Sequence, residues 1–294
     1  MNSETRMEAP RGGTRGQPPA GPSDGPSDAL GGPALIPNVR KCFVPDPGFV
    51  MFECDLKGAD AWVVIYEAED DDLKRVMKSG IDLHAHNAEA MWGSAFTSLP
   101  EGSHARDHKR QECKHTIHGI HYGCSPRTTA IQRGWLVHEA ERFHRRWLSL
   151  HPGVSRYHDR VRRQLSTDRT VYNRFGFRRV FFDRIDSVFP EALAWIPQST
   201  VALNTYAGAL QLERHYWPDQ LEPNWMPKRF PEDLEGILLQ THDSVNFQFR
   251  DHRVPLLQEI KNHLSVTIPY EDPLIIPWDI KRSAKSWGEM QKMK

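Results

Sequence analysis

Apolar and polar positions alternate with two different periods along this chain. Ile237-Leu238-Leu239 leads into Gln240-Thr241-His242-Asp243, and Val245-Asn246-Phe247-Gln248-Phe249 then alternates strictly, the pattern of strand, tight turn and strand. Such a hairpin presents Asp243 at its tip. A second apolar run, Phe49-Val50-Met51-Phe52, predicts a strand over 49–56 that carries Asp55 near its end. Helical spacing predicts helices over 58–68, 70–78, 101–120, 135–150 and 254–264, one from Asp82 to Trp92, and a short one after Ser125. Asp70-Asp71-Asp72 places acids where a helix N-terminus favours them, and Gly80 stops that helix. Pro152-Gly153 is expected to end a helix. A further hairpin is expected at Phe175-Gly176, with Val180-Phe181-Phe182 as its second strand. Pro190 is expected to open a helix that Pro197 interrupts and that continues to His215, and Leu274-Ile275-Ile276 to form a last strand. Helices around a small, mostly antiparallel sheet make the expected fold class α+β.

Residues 1–36 break this patterning. They are rich in Gly, Pro, Ser and Asp, and Gly21-Pro-Ser-Asp24 is repeated as Gly25-Pro-Ser-Asp28. A segment so poor in apolar surface cannot offset its ordering entropy, so it is read as a disordered tail, with structure beginning near Pro37. The 294 residues, 38% hydrophobic and 26% charged, fit a globular protein. No apolar run approaches the ~20 residues that span a bilayer, and the N-terminus lacks a signal-peptide core, so no membrane partner is expected. Cys42, Cys54, Cys113 and Cys124 have no C-x-x-C spacing and read as reduced thiols of a cytoplasmic protein.

Net charge is zero, but its distribution is uneven. Residues 104–184 hold eighteen Lys/Arg against seven Asp/Glu, whereas residues 49–80 hold eight acids against four bases. A basic surface beside an acidic site suits a protein that holds a polyanion near cations; solvated helix faces are the plainer account of each run alone.

Three pieces carry candidate chemistry. Asp55 and Asp243 end strands, where two carboxylates can hold a pair of divalent cations for phosphoryl chemistry. Each aspartate taken alone is equally a turn former or cap. Between them Arg106, Arg110, Lys114, His118 and Tyr122 lie four apart, which makes one slowly drifting helix face. Like charges stacked in this way repel unless an anion lies across them, and a triphosphate would satisfy Arg110 and Lys114.

Taken in order, these segments resemble the C-terminal polymerase region of family A DNA polymerases, the bacterial polymerase I class, and its phage members in particular. Asp55 to Asp60 with Asp82-Leu83-His84 resembles the first palm motif and the Asp-Ile-His element behind it. Arg110 to Gly123 resembles the fingers-helix motif Arg-x3-Lys-x3-Phe-Gly-x2-Tyr-Gly, and Gln240 to Ser244 the last palm motif, Val-His-Asp-Glu. Weaker matches are Thr170-x5-Gly176-x-Arg178-Arg179 and Pro197-Gln198-Ser199-Thr200. The resemblance runs from Pro37 to the C-terminus and implies a palm with a small antiparallel sheet, and helical fingers over roughly 80–165.

What the resemblance implies for each residue is specific. Asp55, Asp243 and the Leu56 carbonyl would bind two Mg²⁺ ions, or Mn²⁺ in their place. Arg110, Lys114 and His84 would hold the nucleotide phosphates, with Lys114 also a proton donor to pyrophosphate. Tyr122 and His118 would face the nascent base pair, with Asp60 taking part in sugar selection. Gln198, His242, Arg178 and Arg179 would contact DNA. The implied reaction is template-directed DNA synthesis from dNTPs on a primer-template, in phage replication.

Departures accompany the match. Ser244 stands where the family has glutamate, Asp60 replaces glutamate, Lys57-Gly58 replaces Ser-Gln, and His118 replaces Phe or Tyr. The family's thumb and primer-strand segment would precede Pro37, where the tail lies, and no exonuclease domain fits. The expectation is therefore palm and fingers without a thumb, weak and salt-sensitive in isolation. Two alternatives stay open: a fragment that binds DNA or works only with a separately encoded thumb or exonuclease polypeptide, and a two-metal nuclease, which leaves the Lys114-to-Tyr122 helix unexplained.

Overall fold

The computed structural model describes residues 38–216, 236–250, 252 and 257–293. The tail over 1–36 and the expected helix start at 254–256 lie outside the described residues. In chain order the elements are β1 (Phe49–Leu56), α1 (Ala59–Glu67), α2 (Asp71–Lys78), α3 (Leu83–Trp92), α4 (Ser94–Thr97), α5 (His104–His121), α6 (Pro126–Arg133), α7 (Val137–Leu150) and α8 (Pro152–Thr167). There follow β2 (Thr170–Tyr172), β3 (Arg178–Val180), α9 (Ile185–Tyr216), β4 (Gly236–Thr241), β5 (Ser244–Arg250), α10 (Leu257–Leu264), β6 (Trp278–Ser283) and β7 (Gln291–Lys292). The architecture is α+β, as the sequence leads one to expect.

The main sheet has the order β4-β5-β1-β6-β7, and every neighbouring pair is antiparallel. Strand alternation gives it two unlike faces. Val50, Phe52, Cys54, Leu56, Val245, Phe247, Phe249 and Trp278 point to one side. There they share a core with Trp62, Val63 and Tyr66 of α1, Val201 and Leu212 of α9, and Leu257, Ile260 and Leu264 of α10. Phe52 and Phe247 stack 5.8 Å apart at its centre. The other face is polar: Glu53, Asp55, Ser244, Asn246, Gln248, Asp279, Lys281 and Ser283 occupy the alternate positions. Two segments, one before β1 and one after β6, cover one end of it. The side chain of Gln248 donates to Asp46 at 2.7 Å, and the Trp287 indole N–H donates to Glu53 at 2.8 Å. Asp55, at the other end, keeps about a third of its side chain exposed (32%).

Two helical cores accompany the sheet core among the described residues. Leu83 and Met91 of α3, Cys113, Ile117 and Ile120 of α5, and Phe143 and Trp147 of α7 pack as one cluster. Tyr157, Val161 and Leu165 of α8 pack with Phe189, Ala192, Leu193 and Ile196 of α9 as the other. Glu67, at the end of α1, is buried and joins these layers: it accepts from Arg160 at 2.8 Å, from Arg174 at 2.7 Å and from the Tyr270 hydroxyl at 3.1 Å. Two guanidiniums and a phenol together satisfy a carboxylate that could not be buried alone.

Several elements differ from the sequence expectation, for local reasons. α7 ends at Leu150, as expected ahead of Pro152-Gly153, but Pro152 also occupies the first turn of a further helix, α8, where a missing N–H costs nothing. The helix over 152–167 was not anticipated. The second strand of the small hairpin is Arg178–Val180, so Phe181 and Phe182 lie beyond it. α9 is one helix from Ile185 to Tyr216 that contains both Pro190 and Pro197. Pro197 offers no N–H to the Leu193 carbonyl, and the Tyr157 hydroxyl donates there instead at 3.2 Å. The last long strand is Trp278–Ser283; Leu274 makes only an isolated bridge with Ile268.

Candidate functional site

The two aspartates singled out from sequence come together. β4 and β5 are joined by a two-residue turn, His242-Asp243, since Thr241 pairs with Ser244. Asp55 of β1 pairs with Ser244 across the ladder, and the Leu56 amide donates to the Asp243 carbonyl at 2.9 Å. Asp243 therefore sits at the hairpin tip beside the end of β1. Ser244, where a carboxylate was expected, is buried and shares a hydrogen bond with the Thr241 hydroxyl at 2.5 Å.

Sequence reasoning missed a third carboxylate in the same row. Asp279 of β6 pairs with Asp55 on the strand edge opposite Ser244, and Lys292 holds its side chain at 2.9 Å. One step along the face, Lys281 binds Glu53 at 2.7 Å and stands 3.9 Å from Asp55. The row is thus Asp243, Asp55, Asp279, with the ammonium groups of Lys292 and Lys281 balancing part of the charge. The donors are hard oxygens, the set that suits Mg²⁺ or Mn²⁺ rather than a thiophilic ion. The β6 register, which alone reveals Asp279, was hidden because Leu274-Ile275-Ile276 has the stronger apolar signal.

The helix file folds as its spacing implies. Ser103 caps α5 through a bond from the Arg106 amide at 3.2 Å. Arg106 itself donates to the Leu99 carbonyl at 2.9 Å and covers the Phe96 ring, so it serves the helix start. Arg110 makes a two-point pair with Asp82, Nε to Oδ2 at 2.8 Å and Nη2 to Oδ1 at 3.0 Å. Asp82 also caps α3 by accepting from the amides of His84 and Ala85. Burial works to raise this carboxyl, but the Arg110 bonds and those amides outweigh it and hold it below its ordinary value. The fork orients Arg110 and leaves its remaining N–H groups for another anion.

His84 lies next to this pair. Burial, reinforced by the charges of Lys114 and Arg110, brings its imidazole down to about 4. At neutral pH it is an uncharged ring with one N–H to donate. Lys114 is exposed on the same helix face. Arg110, Lys114 and His84 therefore form one cationic and donor-rich surface between α3 and α5.

At the far end of α5 the file meets the acidic strand end. The Tyr122 hydroxyl donates to Asp60 at 2.7 Å, and Asp60 lies in the first turn of α1, directly after β1. Burial, with the Asp60 charge beside it, raises the Tyr122 phenol well above its usual value, so it stays a donor. The His118 ring packs edge-on against Tyr122, centroids 4.4 Å apart. Gly123 follows at φ +76°, and a Cβ there would stand 3.0 Å from Leu193, so the turn that sets Tyr122 has little room for a larger residue.

Of the remaining candidates, His242 adjoins the row and the others belong to the β2–β3 hairpin and α9. Asn173 organises the β2–β3 hairpin, accepting from the amides of Phe175 and Phe177 and donating to Ser199 of α9 at 3.1 Å. That bond brings the hairpin next to exposed Gln198. Arg178 is exposed, whereas Arg179 pairs with Glu191 and so ties the hairpin to α9. His242 is exposed at the β4–β5 tip, next to Asp243.

Comparison with known proteins covers most of the chain. Residues 34–289 match the sequence profile described as DNA polymerase family A. A protein named DNA polymerase from Mycobacterium phage D29 is 30% identical over 258 residues, which is 88% of this chain and 38% of that protein. The thermostable DNA polymerase I of Thermus filiformis is 25% identical over 262 residues, 86% of this chain and 29% of that protein. The chain thus spans well under half the length of these relatives. Among solved structures, the POL domain of Pol1 from M. smegmatis, in complex with DNA primer-template and dNTP, superposes with a TM-score of 0.69 at 20% identity. That match covers 85% of this chain and 42% of the other, and it speaks to the fold.

Proposed function

Because the chain belongs to DNA polymerase family A, we propose that it carries the palm and fingers of a template-directed DNA polymerase and transfers nucleotides from dNTPs to a primer 3′-hydroxyl. The observation that supports this best is the pinning of Asp55 beside Asp243 through the Leu56 amide at 2.9 Å, on the polar face of the sheet. In this reading the sheet is the palm, and α3 to α8, roughly residues 80–165, are the fingers.

Asp55 and Asp243, with the Leu56 carbonyl and neighbouring Asp279, are the residues that would hold two Mg²⁺ ions. Bound there, such ions supply Lewis-acid stabilisation of phosphoryl oxygens and lower the pKa of a coordinated hydroxyl. The chain's own groups do the rest. Arg110, aimed by Asp82, and Lys114 neutralise a triphosphate, and His84 donates to it as a neutral ring. In this reading Lys114 gives a proton to departing pyrophosphate. Tyr122, held by Asp60, and His118 form the flat wall against the base pair and sugar. Arg178, Gln198 and His242 contact the DNA backbone and minor groove, where contacts position the duplex and leave sequence to base pairing. Arg179 would act there by fixing the hairpin on α9. A role in phage DNA replication is consistent with the phage D29 relative.

Primer extension at low salt tests the reading. Wild-type protein should add the nucleotide complementary to the template, and Lys114→Ala should slow that addition by about 10²-fold or more. Extension only when a separate thumb-bearing polypeptide is supplied would assign the activity to a two-chain form. Cleavage of the primer without extension would favour the nuclease alternative.

A further inference from the structure

A second cluster of metal-type ligands lies on the opposite side of the sheet from the carboxylate row. His215 is in the last turn of α9, and Glu259 and His263 are one turn apart on α10. One ligand atom from each lies within 4.8 Å of the other two. The His215 Nε2 and Glu259 Oε1 atoms are 3.3 Å apart, and the rings of His215 and His263 stack at 4.0 Å. An ion bound tetrahedrally at ~2.0–2.1 Å from nitrogen and oxygen ligands needs neighbouring donors about 3.3–3.4 Å apart. One edge of that polyhedron is already in place.

The backbone holds the two helices close enough for this. A Cβ on Gly208 of α9 would stand 2.3 Å from the Leu264 carbonyl oxygen, so α9 and α10 touch main chain to main chain. His215 follows Gly208 by two turns on the same helix face. Leu257, Ile260 and Leu264 anchor α10 to the sheet core, which fixes the side that Glu259 and His263 present. His215 and Glu259 are about half exposed (47% each), which gives an ion a route in.

We propose that His215, Glu259 and His263 bind one zinc-type divalent cation and so clip the end of α9 to α10. Two imidazoles and a carboxylate favour Zn²⁺ over the Mg²⁺ suited to the all-oxygen row, and they leave one coordination position for water or another donor. Because α9 packs on β4 and β5 and α10 packs on α9 in the same sheet core, a bound ion stiffens the support of the hairpin that carries Asp243.

The test uses the full chain with Cys42→Ser and Cys124→Ser, so that the exposed and half-buried thiols do not compete. Zn²⁺ is titrated calorimetrically with Mg²⁺ in excess, and Co²⁺ is used as a spectroscopic probe. The expected result is one Zn²⁺ per chain, a higher unfolding temperature, and visible Co²⁺ bands of a four- or five-coordinate site. His215→Ala and His263→Ala should each weaken Zn²⁺ at least about tenfold, while Asp55→Asn with Asp243→Asn leaves it unchanged. Glu259→Gln, which keeps the shape of α10, serves if a histidine variant fails to fold. Zn²⁺ binding that survives these substitutions, or no stoichiometric binding by the parent chain, would overturn the proposal.

Discussion

The Leu56 amide and the Asp243 carbonyl are 2.9 Å apart, so the end of β1 and the tip of the β4–β5 hairpin are stitched by main chain before any side chain acts. This fixes Asp55 and Asp243 as neighbours whatever their charge state. A divalent cation that binds them should therefore stabilise the fold. Adding Mg²⁺ at about 100 times its dissociation constant should stabilise the wild type by about 2.7 kcal/mol, read as a rise in unfolding temperature. The pair of substitutions Asp55→Asn and Asp243→Asn should remove that rise. An unchanged Mg²⁺ response in the double variant would place the ion elsewhere.

His84 makes the proposed nucleotide surface sensitive to pH. Its pKa falls from 6.5 in an unfolded chain to about 4 in the fold, through burial and the charges of Lys114 and Arg110. The unfolded chain then binds more protons, so this contribution is complete above pH 6.5 and is lost as pH falls toward 4. Its size is on the order of 3 kcal/mol. Buried His121, at about 3, and His144, at about 4, act in the same direction. Denaturation from neutral to acid pH should show a steep loss of stability, and His84→Gln should make it shallower. A triphosphate placed beside His84 reverses the local field, so dNTP binding should take up protons below pH 6.5 in the wild type and less in His84→Gln.

Tyr122 and Asp60 join the end of α5 to the first turn of α1 through one 2.7 Å bond. Tyr122→Phe removes it and leaves the Asp60 carboxylate without that donor. The cost to stability should be about 1–3 kcal/mol, and Asp60→Ala should widen acceptance of ribonucleotides relative to deoxyribonucleotides in extension assays. Equal sugar selectivity in wild type and Asp60→Ala would remove Asp60 from the sugar site.

Glu67 is the structural counterpart. Arg160, Arg174 and Tyr270 all donate to this buried side chain. Glu67→Ala strands two guanidiniums and should destabilise the protein by about 3–5 kcal/mol, measured by denaturant titration. A loss below about 1 kcal/mol would mean that solvent replaces the carboxylate at no cost.

Much of this site was legible in sequence because its parts are local. Strict alternation around Asp243 announced a hairpin, four-residue spacing from Arg110 to Tyr122 announced one helix face, and Asp82 announced a cap. The partners were not legible. That Asp60 holds Tyr122, that Asp82 forks Arg110 and that Asp279 lies beside Asp55 depend on contacts between segments far apart in the chain, which periodicity does not encode. Prolines were legible only in part. Pro152-Gly153 does mark the end of α7, but Pro152 also begins α8, and Pro197 sits inside α9 because Tyr157 supplies the hydrogen bond that the ring cannot.

The central claim is that Asp55 and Asp243 act as one metal-binding centre for nucleotidyl transfer. Single-turnover primer extension by Asp55→Asn, Asp243→Asn and the double variant tests it directly. Groups that act as a unit lose function together, so each single substitution should cost about 10³-fold or more and the double little beyond either. Extension at the wild-type rate by either single variant, or losses that multiply in the double, would contradict it.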